Sequence, residues 1–306
     1  MKYVHKDQSP EQAIKDIFGQ DAGIRDRKRM SGGDSNDAYC LYLADGTKVF
    51  LKMNKKDRKD FFTAEACGLE ALGSLQAVSV PEILALGTDE DTDQAFLILE
   101  YIESQRPQKA YWEAFGQQLA MLHRSQWGRT IVNAGKTGAY GFTEDNFIGI
   151  SPQKNRPDAS WIHFYRDCRL APQLDRARKY LSLDIQRKAE RLLDHLDAYL
   201  REPEFPSLLH GDLWSGNMIC GTGNRPWIID PAVYVGDYET DLAMTQLFGS
   251  LPRTFYEAYR EINPVIWKEY EERRDLYHLY HLLNHLNLFG TAYLGSVERM
   301  IREYAG

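Results

Sequence analysis

The sequence predicts a two-lobed α+β fold, with a small sheet-bearing N-terminal lobe over 1–103 and a larger, mainly helical lobe over 104–306. Three observations carry this expectation. At 306 residues the chain is long enough for two lobes with a sizeable core. Strand-type alternation is concentrated before Glu103. A polar, Pro-containing stretch, Ser104 to Gln108, then separates it from segments with mostly helical spacing, which puts a hinge near 100–107.

The elements follow in order. Ser9-Pro10-Glu11-Gln12 reads as a helix start, because Ser caps, Pro tolerates the first helical position and Gln12 can complete a capping box; Gly19 ends the helix. From Asp37 to Met53, Tyr39, Leu41 and Leu43 alternate before an Asp45-Gly46 turn and Val49, Leu51 and Met53 after it, the pattern of a hairpin. Phe62, Cys67, Leu69, Leu72 and Leu75 mark a helix, and Ala95 to Ile102 a buried strand. Trp112, Phe115, Leu119 and Leu122 open the helical half. Thr130 to Pro172, rich in Gly, Asn, Pro and aromatics, is too long for an idle connector and is expected to shape a pocket.

Composition narrows the function. A net charge of -7, from 37 basic against 44 acidic residues, argues against a nucleic-acid binder that neutralises phosphates over a broad surface. The four cysteines are scattered, which favours reduced thiols and a cytoplasmic location, and no stretch reaches the roughly 18 uninterrupted apolar residues that a membrane span needs.

The densest chemistry lies in His210-Gly211-Asp212-Leu213-Trp214-Ser215-Gly216-Asn217, with Asp230 closing the apolar run Trp227-Ile228-Ile229. Phosphoryl transfer needs a carboxylate to take the proton of the attacking hydroxyl, and an amide oxygen with a second carboxylate to hold Mg²⁺. Asp212, Asn217 and Asp230 fill these roles in order, and four residues separate Asp212 from Asn217 as in the H-x-D-x-x-x-x-N kinase loop. His210 reads as structural support. Upstream, Gly32, Gly33 and Ser35 sit in a turn whose backbone can approach phosphate, and Lys52, in an apolar strand, asks for a partner that Glu65 can supply. Glu100, Tyr101 and Ile102 would offer backbone groups to adenine. His278, His281 and His285 share a Leu-rich helix with no carboxylate or Cys at ligand spacing, so they read as core residues rather than a metal site.

These motifs together resemble the fructosamine kinase (ketosamine-3-kinase) family, a branch of the protein-kinase-like fold near aminoglycoside and choline kinases. The likeness covers essentially the full length: Leu209 to Asn217, Gly236-Asp237-Tyr238-Glu239-Thr240-Asp241-Leu242-Ala243-Met244, Tyr140 to Gln153, and Trp161 to Gln173 with Phe164, Tyr165 and Arg169. Some members carry Cys in the glycine-rich loop, where this chain has Asp34 after Gly33. The resemblance implies ATP between the lobes, Mg²⁺ on Asn217 and Asp230, and phosphorylation of the 3-hydroxyl of a free or protein-bound ketosamine, whose phosphate decomposes and frees the amine. It implies that Asp241 braces the catalytic loop. Asp237, Tyr238 and Glu239 are expected to meet an amine-bearing sugar, and Trp214 either stacks on it or wedges the loop. Two other readings stand beside this one: an aminoglycoside or other amino-alcohol kinase sharing the same catalytic residues, and a degenerate kinase acting as a nucleotide-binding module.

Overall fold

The computed structural model describes residues 4–30, 36–125, 139–265 and 267–305. Two compact units are present, Met1–Gln108 with Ile219–Asp230, and Lys109–Met218 with Pro231–Gly306. The return segment Ile219–Asp230 therefore belongs with the sheet-bearing unit, although a linear cut after Glu103 puts it in the other.

In the first unit, β1 (Val4–Asp7), β2 (Ile24–Arg29), β3 (Asp37–Leu43), β4 (Lys48–Lys55), β5 (Ile83–Asp89) and β6 (Gln94–Glu100) form one sheet in the order β1-β5-β6-β4-β3-β2. All neighbours are antiparallel except β1, which runs parallel to β5. Strand alternation sorts β4 into two faces. Val49, Leu51 and Met53 pack with Leu41, Phe96 and Ile98 beneath Ala13 and Ile14 of helix α1 (Pro10–Phe18). Phe50 joins Phe62, Ala66 and Leu69 of helix α2 (Lys59–Gly73) on the opposite face. Each large apolar side chain buried this way contributes about 1.5–3 kcal/mol. Lys52 shares the face toward α2, which is why the pleat aims a charge at Glu65.

Several local expectations change in detail. Ser9 caps α1 by accepting from the Gln12 N–H at 3.2 Å, but the Gln12 amide turns to Asp16 at 2.9 Å, so the capping box stays half made. Cys67 is exposed, because it lies on the outer side of α2 while Phe62, Leu69 and Leu72 face the sheet. Strand β2 has the sequence IRDRKR, which carries no apolar alternation, and it forms at the sheet edge through backbone pairing with β3.

The second unit is mainly helical. Helix α3 (Tyr111–Arg124) packs along α8 (Arg253–Ile262), with Phe115 and Phe255 rings 5.3 Å apart. Gly116 permits that approach, since a Cβ there would lie 2.2 Å from the Phe255 carbonyl oxygen. Helices α4 (Trp161–Tyr165) and α5 (Ala171–Ala177) are joined by a π turn over Arg166–Leu170, just before Pro172, which cannot donate to the preceding turn. Helix α6 (Leu183–Asp194) follows, capped by Ser182. Further on come α7 (Glu239–Leu247), α9 (Trp267–Phe289) and α10 (Leu294–Ala305).

The described part of the Gly- and Asn-rich region is a polar buttress. It contains the hairpin β7 (Asn146–Ile148) and β8 (Ser151–Gln153). The Asn146 amide donates to the Val233 carbonyl at 2.7 Å, Gln153 donates to Ala232 O at 3.0 Å, and buried Arg169 donates to Asn155 Oδ1 at 2.8 Å.

Asp237, Tyr238 and Glu239 are buried, against the expectation that they meet an acceptor. Asp237 accepts from the Tyr277 hydroxyl at 2.9 Å and from the Glu239 N–H at 3.0 Å, which starts α7. Glu239 is held by Arg273 of α9 at 2.7 and 2.8 Å and by Arg201 at 3.1 Å. Burial, then the neighbouring Glu239 charge, pushes the Asp237 carboxyl up to about 7.

Two outcomes test this packing. Gly116→Ala must force α3 away from α8, with an expected stability loss of about 3 kcal/mol in urea unfolding; an unchanged midpoint would contradict the close approach. Asp237 has a raised folded-state pKa, so its contribution is fully present below about pH 4 and is lost as pH rises through about 7. Asp237→Asn cannot ionise, and its stability relative to the parent should therefore improve from pH 4.5 to 7.5. A pH-independent difference would show that Asp237 is already ionised.

Candidate active site

In the first unit, β4 delivers Lys52 from a central position between Ala38 of β3 and Leu97 of β6. Its ammonium donates to Glu65 Oε1 at 2.7 Å and to Asp230 Oδ1 at 2.5 Å. The Lys52 side chain is 6% exposed and that of Asp230 38%, so the cluster is buried at Lys52 and open at Asp230. Burial alone would lower the Lys52 pKa, but the two carboxylates overcome it and keep the ammonium charged well above its ordinary value. One cation shared between two carboxylates leaves an excess negative charge. Burial and Asp230 accordingly outweigh Lys52 at Glu65 and push its pKa up to about 7.

Asp230 reaches this position at the end of a short ribbon, β10 (Met218–Gly221) with β11 (Arg225–Ile228). The ribbon is tied to the sheet-bearing unit by the Ile228 N–H, which donates to Ser79 O at 2.9 Å, and by Arg225 to Ser79 Oγ at 2.5 Å. Asp230 itself adopts φ 55°, the left-handed region that non-Gly residues rarely occupy. Glu100 ends β6 with its N–H on Glu82 O at 2.8 Å, and Tyr101 and Ile102 follow half-buried in an irregular segment. Gly32, Gly33 and Ser35 lie outside the described residues.

In the second unit, β9 (Ser207–Leu209) pairs with β12 (Tyr234–Gly236), and the loop holding Asp212 leaves the end of β9. Gly211 sits at φ 82°, and a Cβ there would meet Ala232 O at 2.1 Å, so only glycine allows the chain to turn so close to its neighbour. Asp241 of α7 fixes this turn: its carboxylate accepts from the His210 N–H at 2.7 Å and the Gly211 N–H at 2.9 Å. The third partner is His123 Nε2, 3.2 Å away, whose Nδ1 contacts the Tyr259 hydroxyl at 2.8 Å. Burial opposes the charge on Asp241, but His123 and the loop N–H groups hold its pKa below the ordinary carboxylate range. The His210 ring accepts from the Asp212 N–H at 3.3 Å, in the supporting role expected for it.

Asn217 donates through its amide nitrogen to Asp212 O at 2.9 Å, so its oxygen is the atom it can offer a cation. Asp212 is 21% exposed at its side chain. Trp214 folds over Gly216, where a Cβ would lie 2.3 Å from the indole, yet the residue is still 39% exposed. Trp214 therefore both wedges the loop and presents ring surface outward.

Sequence reasoning overlooked His281 as a neighbour of this loop. It is buried on α9, its Nδ1 has no hydrogen-bond partner among the described residues, and it lies 3.9 Å from Asp212 Oδ1. Burial, and then the neighbouring histidines, hold its pKa down to about 3, so the ring is neutral. His278 Nε2 contacts Ala243 O and His285 Nδ1 contacts His281 O, both at 2.8 Å. Among the described residues no cluster of His, Cys, Asp and Glu is arranged for a metal, and no helix is long and apolar enough to cross a membrane.

Comparison with known proteins gives the same grouping. A probable ketoamine kinase of Synechocystis is 39% identical over 95% of this chain and 94% of its own length. The chloroplastic protein-ribulosamine 3-kinase of Arabidopsis thaliana is 37% identical over 89% and 81% of the two chains. A crystal structure assigned to a Haemophilus somnus fructosamine-3-kinase superposes with a TM-score of 0.82 at 27% identity, covering 97% of each chain. The fructosamine kinase family model matches residues 6–305, and the chain, with its bilobal protein-kinase-like α+β fold, belongs to the fructosamine kinase family.

Proposed function

We propose that the chain is an ATP-dependent ketosamine 3-kinase, acting on ribulosamine-, erythrulosamine- or fructosamine-type adducts in the repair of glycation. Kinship to ketoamine and ribulosamine kinases over most of the chain supports the acceptor class. The observations that carry the chemistry are the charged Lys52 locked between Glu65 and Asp230 in the first unit and, in the second, the braced Asp212–Asn217 loop.

In this reading Asp212 accepts the proton of the 3-hydroxyl as its oxygen bonds to the γ-phosphorus and the bond to the ADP oxygen breaks. Lys52, oriented by Glu65, contacts the ATP phosphates, and the backbone at Glu100, Tyr101 and Ile102 meets adenine. Asp230 and Asn217 offer the hard oxygen donors that would hold Mg²⁺, which would supply charge neutralisation for the nucleotide phosphates. Trp214 supplies an exposed ring for the acceptor. Asp237, Tyr238 and Glu239 hold the start of α7 rather than the acceptor, because Tyr277 and Arg273 already engage the two carboxylates and Tyr238 is stacked on His123 and Phe205.

Asp212→Asn should leave ATP binding intact and lower kcat about 10²-fold; unchanged turnover would remove Asp212 from the proton path. Asp230→Asn should weaken Mg²⁺-dependent nucleotide binding as well, and titrations that overlay the parent's would exclude it as a ligand. With the parent enzyme, a small ribose-derived ketosamine should exceed an aminoglycoside in kcat/KM by tenfold or more, about 1.4 kcal/mol in transition-state binding. The opposite ranking would favour the antibiotic-kinase reading, and absence of any ATP turnover the binding-module reading.

A further inference from the structure

Of the three histidines on α9, two have their contacts within the helix layer: His278 Nε2 meets Ala243 O and His285 Nδ1 meets His281 O, each at 2.8 Å. His281 differs from both. It is 3% exposed, and among the described residues its Nδ1 is the one buried histidine nitrogen without a hydrogen-bond partner. A buried polar atom left unpaired has lost its hydration with nothing in exchange, so it marks a place where a partner belongs at some stage of function. The group facing this nitrogen is the Asp212 carboxylate, whose Oδ1 lies 3.9 Å away, about 1 Å beyond an ordinary N–H···O distance.

The two sides of that gap differ in freedom. Around His281 the helix is tied down: the Tyr277 hydroxyl donates to Asp237 at 2.9 Å, the Tyr280 hydroxyl donates to Gln153 Oε1 at 2.6 Å, and Leu279, Leu282 and Leu283 are buried. On the other side Asp241 fixes the loop backbone, while the Asp212 side chain, 21% exposed, has room to turn. Its Oδ2 faces the Asn217 amide nitrogen at 3.4 Å, which leaves Oδ1 as the oxygen on the His281 side. Rotation of the carboxylate closes the remaining distance, and hydrogen bonds between catalytic groups are often long until the reacting complex forms.

The charge state of the ring suits this contact. Burial keeps His281 neutral, so the ring carries a single N–H. A carboxylate opposite Nδ1 favours the tautomer with the proton there, since two facing acceptors repel. A neutral donor can hold a carboxylate that must still take up a proton, whereas a lysine or arginine in the same place would lower its basicity far more.

Resting on the kinase reading, we infer that His281 is a positioning residue for Asp212: its Nδ1–H donates to Oδ1 when the acceptor is bound and orients the carboxylate, leaving the second oxygen to take the hydroxyl proton. The proton passes from the 3-hydroxyl to Asp212 alone, and His281 gains and loses none.

The test is a double-mutant cycle on the full chain, with ATP and a small ribose-derived ketosamine as substrates. His281→Leu removes the donor and should lower kcat about tenfold, with KM for either substrate changed less than about twofold. His281→Asn puts an amide nitrogen where Nδ1 stood and should keep kcat within about threefold of the parent. In the Asp212→Asn background, His281→Leu should cost less than about twofold, because the carboxylate it acts through is gone. Damage to folding would appear in both backgrounds, so the cycle separates it from loss of a positioning contact. Equal losses for the Leu and Asn variants, the same loss in both backgrounds, or a His281→Leu enzyme with the parent's kcat would each overturn the inference and leave the kinase reading in place. A parent that turns over no ATP with the ketosamine would overturn both together.

Discussion

A buried carboxylate, that of Asp241, organises the catalytic loop. Removing a charged group from water costs several kcal/mol unless donors surround it. Here the donors are the backbone N–H groups of His210 and Gly211 together with the ring of His123. Because two of them belong to the turn before Asp212, satisfying the buried charge and shaping the loop are the same event. The chain of contacts continues from His123 to the Tyr259 hydroxyl, which also accepts from the Asn263 amide at 2.8 Å, so helices α3, α7 and α8 share one polar network. A gap anywhere in such a network leaves an unpaired group in a low-dielectric interior, which is why it specifies one arrangement.

Lys52 poses the converse problem in the other unit. Its ammonium is buried by the strand that carries it, and two carboxylates from distant parts of the chain, Glu65 and Asp230, compensate it. Compensation by two groups overshoots: Glu65 is pushed toward protonation while Asp230 keeps its more exposed side chain outward. The two carboxylates are unlike: Glu65 is carried on α2 and largely buried, whereas Asp230 is more open and sits in a left-handed backbone position. Glu65 holds the Lys52 ammonium from the interior, while the Asp230 carboxylate keeps an exposed portion.

Aromatic side chains divide in the same way between interior and surface. Trp161, Tyr165 and Tyr277 are buried together, with the Tyr165 and Tyr277 rings 5.4 Å apart and the Tyr277 hydroxyl on Asp237. They lock α4 to α9 and support the residues before α7. Trp214, Phe248 and Phe289 lie where helix ends and the Asp212 loop reach the surface, so their rings stay partly exposed.

By itself the sequence determined the elements whose pattern is local: the β3–β4 hairpin from its alternation around Asp45-Gly46 and the α1 start at Ser9. It also paired Lys52 with Glu65, because a lysine in an apolar strand has few affordable partners and the next helix supplies one. Edge strand β2 was hidden, since its pairing comes from backbone groups that side-chain pattern does not report. Only the tertiary structure decided the fate of Asp237 and Glu239. In the sequence they look like an acidic turn available to an amine, but Arg201, Arg273 and Tyr277 arrive from elsewhere in the chain and enclose them. The same holds for His281, whose closeness to Asp212 arises from helix packing. Charge and hydrogen-bonding capacity are properties of residue type, whereas the partner that satisfies them is set by which segments the core brings together.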